Sequence, residues 1–283
     1  MAVSDFRTIP ALYIVATPIG NPDDITLRAL KILQSTDIIA CEDTRVTGKL
    51  LAHYGIKASM FCYNDFSTDK QRTLLLDKIM QGSSIALVSD AGTPLISDPG
   101  YQLVQAAQSH TIPVITIPGP SSVIAALTVA GLPTNRFLFE GFLPVRSAAR
   151  IAILQPYKQL ESTLVFFEAA RRLQETLVDM LAVLGDRDAT IVRELTKHYE
   201  EICPGKLSDH ITYYTKNGNP KGEIIIVIAP PATIIADENQ LTEQLSEALK
   251  HMSIKEAATA VAASTHFSRK HVYTRALELM KDR

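Results

Sequence analysis

The chain has no tryptophan, only three cysteines and no apolar run long enough to cross a bilayer. Cys41, Cys62 and Cys203 are widely spaced and form no CxxC. That argues against a disulfide scaffold or a thiolate zinc site and fits reduced thiols in the cytoplasm. The longest apolar stretch, Ile224 to Ala236, is broken by Pro230-Pro231 and falls short of the ~20 residues a membrane span needs. Around Asp5 and Arg7 there is no apolar segment of the secretory-signal kind. The seven histidines show neither HxH nor HExxH spacing, so no metal site is expected. There is no P-loop and no GxSxG elbow, which removes the commonest nucleotide-hydrolase and serine-hydrolase readings. Repeats and low-complexity tracts are absent as well. Positive charge is not in surplus: 28 Lys and Arg face 30 Asp and Glu, for a net charge of −2. A generic nucleic-acid coat is excluded, while a local basic patch is not.

What is present is a large apolar fraction, 46% of 283 residues, enough for one large or two medium domains with a substantial core. Short β-branched runs alternate with helical patterns. Strands are predicted at Leu12 to Ala16, Asp37 to Ala40, Ser59 to Tyr63, Ile85 to Val88 and Ile112 to Ile117. Helices are predicted at Ile25 to Leu33, Thr47 to Tyr54 and Lys70 to Met80, the last with Leu74, Leu75, Ile79 and Met80 on one face. Such alternation predicts a parallel-rich sheet covered on both faces. A helix over Val123 to Ala130 ends at Gly131 with Pro133 beyond, a stop signal. The second half shows strands at Arg136 to Phe139, Thr163 to Phe167, Ala189 to Val192, a weaker Tyr199 to Ile202, and Glu223 to Ile228. Helices are expected over Ser147 to Leu160 and Leu173 to Leu184. A mixed sheet is expected there. After Pro230-Pro231 the pattern turns helical, at Leu241 to His251, Ile254 to Ala263 and Arg269 to Met280. This tail is either a packing appendage or a helix-turn-helix-like element that touches RNA through Lys255, Arg269, Lys270, His271 and Arg275. The expected domains are an α/β domain over 1–120, a second over 121–232 and a helical tail over 233–283.

The richest segment is Ser89-Asp90-Ala91-Gly92-Thr93-Pro94-Leu95-Ile96-Ser97-Asp98-Pro99-Gly100. It follows the Ile85 to Val88 strand and precedes a helix. In open α/β sheets ligands bind at such strand ends, where backbone N–H groups and a helix N-terminus are exposed. Asp90 and Asp98 can accept hydrogen bonds from hydroxyls or amines. Helix capping would equally explain Asp98.

Several segments together resemble a known family. Thr17-Pro18-Ile19-Gly20-Asn21 follows the first strand and Glu42-Asp43-Thr44-Arg45 the second. Ser89 to Gly100 and then Pro118-Gly119-Pro120-Ser121-Ser122 follow later ones, with Arg193-Glu194-Leu195-Thr196-Lys197 and Lys221-Gly222-Glu223 further on. In order and spacing the set is similar to the ribosomal RNA small subunit methyltransferase I family, a branch of the tetrapyrrole methylases, and the likeness runs from about Leu12 into the tail. It implies an α/β fold of two domains, the class III methyltransferase arrangement, with S-adenosylmethionine between them. It also implies a homodimer and 2′-O-methylation of a cytidine ribose in the decoding region of 16S rRNA on the 30S subunit. Two departures stand out. The GxGxGD-like loop of porphyrinoid enzymes is replaced by Thr17 to Asn21 with one glycine, which argues against a tetrapyrrole substrate. Where this branch often has E-[SA]-P-H-R, the chain reads Glu168-Ala169-Ala170-Arg171-Arg172.

The resemblance assigns donor contacts to Pro18, Asp90, Ala91, Gly92, Thr93, Asp98, Ser121, Ser122, Phe167, Glu168, Ala169 and Gly222, although Ser121 also suits a simple N-cap. A 2′-hydroxyl needs a base or a nearby cation to ionise; Lys197, Glu42, Asp43 and Glu194 are the candidates. Glu42 and Asp43 also suit a helix N-terminus, and Glu194 with Lys197 a structural ion pair. Arg45, Arg136, Arg146, Arg150, Arg171 and Arg172 are the candidate phosphate contacts. A small-molecule tetrapyrrole methyltransferase and a non-catalytic ribosome assembly factor are the alternatives.

Overall fold

The computed structural model describes residues 8–232, 238–265 and 267–281. The chain divides into two compact units, 1–230 and 231–283.

The larger unit holds two sheets. The first is wholly parallel: β1 (Leu12–Val15), β2 (Ile38–Cys41), β3 (Ser59–Cys62), β4 (Ile85–Val88) and β5 (Val114–Ile117), in the order β3-β2-β4-β1-β5. Helices α1 (Leu27–Ser35), α2 (Thr44–His53), α3 (Asp69–Met80) and α4 (Tyr101–Ser109) cover it. Strand residues alternate between faces, so each strand feeds two cores. Tyr13, Val15, Ile39, Ala86 and Val88 pack with Ala29, Ile32 and Leu33 of α1. Leu12, Ile14, Ala40, Ile85 and Leu87 pack with α3 and with Leu103 and Ala107 of α4. The buried face of α3 is Leu75, Leu76 and Ile79, while Leu74 and Met80 are exposed. The expected face was right at Leu75 and Ile79 and wrong at Leu74 and Met80, with Leu76 buried in their place.

The connection after β5 is α5 (Ser122–Val129), which lies against the second sheet rather than the first. Its Val123, Ala126 and Leu127 pack on Val165, Val192, Ile225 and Val227. That sheet comprises β6 (Phe137–Phe142), β7 (Thr163–Ala169), β8 (Asp188–Arg193), β9 (Glu201–Lys206) and β10 (Glu223–Ile228), in the order β6-β7-β10-β8-β9. Only β6 and β7 pair in parallel, so it is a mixed sheet. Helices α6 (Ser147–Leu154), α7 (Leu173–Leu184) and α8 (Leu207–Asn217) share its other core.

Three differences from the sequence pattern have local causes. The helix expected over Ser147 to Leu160 breaks at Pro156 into α6 and a 3-10 turn over Gln155–Gln159. The weak strand at Tyr199 begins later and runs through Pro204, which is tolerated because β9 is an edge strand. Helix α8 was not anticipated. Its apolar positions are few, and Thr212, Tyr213, Thr215 and Asn217 are poor helix formers. It is nonetheless anchored by buried Leu207, His210 and Tyr214 at helical spacing.

The smaller unit contains α9 (Glu238–Ala248), α10 (Ile254–Thr265) and α11 (Arg269–Lys281). Leu241, Leu245, Ala258, Val261, Val272 and Ala276 form its core. Among the described residues no helix is long and apolar enough to cross a membrane.

Candidate active site

The loops leaving the carboxyl ends of β1, β4 and β5 are laced together. Thr17 and Gly92 exchange backbone hydrogen bonds, N to O, of 2.8 and 3.1 Å. Thr17 Oγ1 donates to Ser89 O, and Thr93 Oγ1 donates to Pro120 O at 3.0 Å. Within the β4–α4 loop Leu95 and Ser97 hold φ of +75° and +62° without being glycine. Such conformations are costly and persist where the surroundings impose them, often at functional sites. At Gly100, φ +131°, a Cβ would meet Leu87 Cδ2 at 2.7 Å. The helix therefore starts from a glycine, and Asp98 is not its cap.

Between these loops and the second sheet lies a cavity of about 500 Å³, within the ~300–1,000 Å³ usual for ligand sites. Of the residues assigned to the donor, Asp90, Ala91, Gly92, Thr93, Asp98, Ser121, Ser122, Phe167, Glu168, Ala169 and Gly222 line it, and Pro18 does not. Ser121 is the N-cap residue of α5, but its side chain caps nothing and is free for a ligand.

The cavity is acidic. Glu42, Asp90 and Asp98 line it, and no Lys, Arg or His does among the described residues. Burial raises all three carboxyls above their usual range. Asp90 and Asp98 push Glu42 further up, and Asp90 does the same to Asp98. Such a site favours a cationic ligand over an anion. Glu168 differs from these three. Its side chain is 0% exposed and turned into the protein. It takes Arg172 Nη2 at 3.1 Å, Thr176 Oγ1 at 2.5 Å and the Ala169 N–H at 2.7 Å.

Of the base candidates, only Glu42 lines the cavity. Asp43 caps α2 and pairs with Arg45, whose hydrogen bonds hold its carboxyl down to about 2. Glu194 accepts from the Glu223 N–H and from Lys197 Nζ, which lower its pKa. Lys197 loses some proton affinity to burial but gains more from Glu194 and Glu223, each 3.0 Å from Nζ, so it stays a cation. Glu194 and Lys197 form the structural pair, in a loop where Glu194 and Thr196 have φ of +49° and +64°. That loop also meets the β1 loop: Asn21 N–H donates to Thr196 Oγ1 at 3.1 Å. A Cβ on Gly20 would lie 2.5 Å from Lys197 Cγ and 2.9 Å from Leu195 O.

Arginines separate into two groups. Arg45, Arg136, Arg146 and Arg171 are exposed. Arg150 and Arg172 differ from the surface cations that their clustering suggested, because both are turned to internal partners. Arg150 is 2% exposed and binds Asp179 through Nε and Nη2, both at 2.7 Å. Arg172 is committed to Glu168 and to Leu143 O. Their partners lie up to 29 residues away, so sequence clustering could not distinguish them from surface cations. Sequence reasoning also missed cavity residues Ile19, Ile96, Ser97, Phe142, Val192, Leu195, Glu223, Ile224 and Ile225. For Ile19, Ile96, Ser97, Leu195 and Glu223 the available signal was the motifs that contain them, and for Phe142 it was Gly141, two residues past the Arg136 to Phe139 run, the mark of a bulge.

Comparison with known proteins agrees with this architecture. Residues 11–210 match the family model described as Tetrapyrrole (Corrin/Porphyrin) Methylases, and 235–280 match the RsmI C-terminal HTH domain. The chain is similar to ribosomal RNA small subunit methyltransferase I of Mesorhizobium japonicum, with 45% identity over 95% of this chain and 92% of that protein. For the protein of the same name from Vibrio cholerae the identity is 43%, over 98% and 99%. Among solved structures, diphthine synthase superposes with TM-score 0.61 at 16% identity, covering 77% of this chain and 89% of that one. Uroporphyrin-III C-methyltransferase from Thermus thermophilus, complexed with S-adenyl homocysteine, gives 0.54 at 21%, covering 77% and 96%. These structures show the fold alone, whereas the sequence relatives extend through the tail. The chain belongs to the ribosomal RNA small subunit methyltransferase I family of the tetrapyrrole methylases.

Proposed function

We propose that this protein transfers the methyl group of S-adenosylmethionine to the 2′-hydroxyl of a cytidine ribose in the decoding region of 16S rRNA, acting on the 30S subunit. The observation that carries the reading is the likeness to the rRNA methyltransferases over 98% of this chain, tail included. The cavity supports the donor: it suits a ligand with a cationic sulfur and an ammonium, because its ionisable lining is carboxylate. In this reading the lobes 1–120 and 121–232 flank the site, and the protein works as a cytoplasmic homodimer.

When bound, S-adenosylmethionine supplies a methyl group on a positively charged sulfur. Asp90 and Asp98 hold the positive end of the donor, and the Ala91–Thr93 backbone and Ser121 offer it hydrogen bonds. Phe167 and Ile225 supply apolar walls. Glu42 accepts the 2′-hydroxyl proton as the C–O bond forms and the C–S bond breaks. Its raised pKa suits it to this role better than Asp43 or Glu194, whose pKa values are lowered. Lys197 remains a cation that braces Glu194 and Glu223. Much of the rate is then positioning of donor and acceptor. Exposed Arg45, Arg136, Arg146 and Arg171 are the phosphate contacts.

The test is methyl transfer from labelled S-adenosylmethionine to 30S subunits lacking the modification, with naked 16S rRNA alongside. The expected product is a labelled nucleotide whose 3′ linkage resists alkaline cleavage. Donor binding without transfer to either RNA would reject the reading.

A further inference from the structure

Strand β6 does not run straight to the cavity. Its pairing with β7 shifts between Phe139 and Gly141, and Gly141 takes φ +78°. A bulge of this kind re-aims the residues beyond it. The extra residue, Glu140, is pinned by a hydrogen bond from Tyr157. A Cβ at position 141 would stand 3.1 Å from Ser97 Oγ, so glycine allows β6 to close on the β4–α4 loop. Phe142 comes next. It lines the cavity yet remains 61% exposed. Below it Phe167 packs edge-on, with centroids 5.4 Å apart, and Phe167 in turn meets Phe139 at 4.8 Å.

The segment after Phe142 is held by buried Arg150 and half-buried Arg172. Arg172 Nη2 donates to Leu143 O at 2.7 Å, and Arg150 Nη1 donates to Val145 O at 3.2 Å. Each arginine is itself fixed by a buried carboxylate, Glu168 or Asp179. Burying ion pairs is a costly way to hold a few carbonyls. Its result here is a rigid rim that keeps an aromatic ring in water, followed by exposed Val145 and Arg146. A small-molecule donor is enclosed by its site, typically over ~70–90% of its surface. A ring this open at the mouth is placed for the second substrate.

We infer that Phe142 is the platform on which the base of the acceptor nucleotide stacks, with Arg146 on an adjoining phosphate. This rests on the RNA-methylation reading above. Single-stranded RNA is held in this way by exposed aromatics, whose π-face accepts any base. The stack would orient the ribose toward the donor and leave recognition of the sequence to other contacts.

The experiment compares wild type with Phe142→Ala, Phe142→Leu, Phe142→Trp and Arg146→Ala. Transfer to 30S subunits and to 16S rRNA is measured, with S-adenosylhomocysteine affinity by calorimetry, thermal melting and sedimentation mass. Phe142→Ala and Phe142→Leu should lose about 5- to 150-fold in kcat/KM for RNA, the size of one base–aromatic stack. Phe142→Trp should recover most of the loss. Arg146→Ala should weaken RNA binding and lower its salt dependence. Product affinity, melting and mass should be unchanged throughout. Wild-type kcat/KM in Phe142→Leu would overturn the inference. So would a matching fall in S-adenosylhomocysteine affinity, which would put the donor's adenine on the ring, or a fall in mass, which would put the ring between two copies of this chain. A wild-type enzyme inert toward RNA would overturn the RNA reading itself, and this is seen before any substitution is made.

Discussion

Replacing Arg172 with alanine should unfold this protein at a markedly lower temperature, whereas replacing its neighbour Arg171 should not. Glu168 is the reason. Its carboxylate is 0% exposed and accepts from Arg172, Thr176 and the Ala169 N–H. Without the guanidinium, two hydrogen bonds remain and the charge has no counter-ion. Breaking one side of a buried pair costs about 3–5 kcal/mol, because the remaining charge cannot return to water. Thr176 and the backbone N–H favour the lower end of that range. For a domain of ~150–250 residues, 1 kcal/mol shifts the melting temperature by about 2–4 °C, so the lower end, about 3 kcal/mol, gives an expected fall of about 6–12 °C. Calorimetry on wild type, Arg172→Ala, Glu168→Gln and the double variant closes a cycle. The double variant should be more stable than Arg172→Ala, since glutamine removes the stranded charge. Arg171→Ala should melt with wild type and should lower the slope of log affinity for RNA against log salt by about 0.7–0.9, the value of one phosphate contact. A shift under about 2 °C for Arg172→Ala, or an equal salt effect from the two arginines, would refute this division of labour.

The acidic cavity makes opposite demands on stability and binding. Burial raises the pKa of Glu42, Asp90 and Asp98, so the folded state takes up their protons more readily than the unfolded chain. Their ionisation therefore weakens the free protein above the raised values, and that burden is relieved as pH falls through them. S-adenosylmethionine affinity should fall over the same pH range. Asp98→Asn should match or exceed wild type in thermal stability and lose about 10-fold or more in donor affinity, measured by calorimetry; tighter donor binding would exclude Asp98 as its partner. If Glu42 is the base, the single-turnover rate should rise with pH through its raised pKa and then level off, and Glu42→Gln should abolish the rise. A limb that appears only near the pKa of a lysine would point to Lys197 instead. Gly20→Ala puts a Cβ 2.9 Å from Leu195 O, which should cost about 1–3 kcal/mol of stability in denaturant titration. A neutral substitution would show that the two loops part easily.

What could be read from the sequence follows from how local its cause is. Strands β4 and β10 and helix α7 fall where hydrophobic pattern and turn residues placed them, because short-range preferences and burial agree there. The β4–α4 loop that lines the cavity was legible for the same reason: small residues and two prolines between a strand and a helix leave few conformations. The face of α3 slipped because Leu74, Leu75 and Leu76 are consecutive leucines, and only the neighbouring β-strands decide which of them are buried. Helix α8 was hidden because its anchor residues are separated by polar, weakly helical ones, and the sheet supplies the stability that propensity does not.

Charge was the least legible property, for a physical reason. An arginine's function is set by the nearest carboxylate, and that distance is a tertiary quantity. Arg146 and Arg150 are one helical turn apart in sequence, yet one faces water and the other is buried against Asp179. Arg171 and Arg172 are adjacent, yet only the second reaches Glu168. The i,i+4 spacing of Glu168 and Arg172 resembles a helix-surface pair, but Glu168 lies in β7 and the chain then enters a 3-10 turn over Ala170–Arg172. The turn points the guanidinium inward, where it also grips Leu143 O. What looked like one basic patch is therefore a thinner set of exposed cations and a pair of internal braces. The braces hold the rim that carries Phe142. If the acceptor nucleotide docks there, Arg150 and Arg172 serve RNA binding without touching RNA. Arg150→Gln, which removes the charge, should then raise KM for RNA while leaving its salt slope unchanged. A flattened slope would return Arg150 to the surface role it was first assigned.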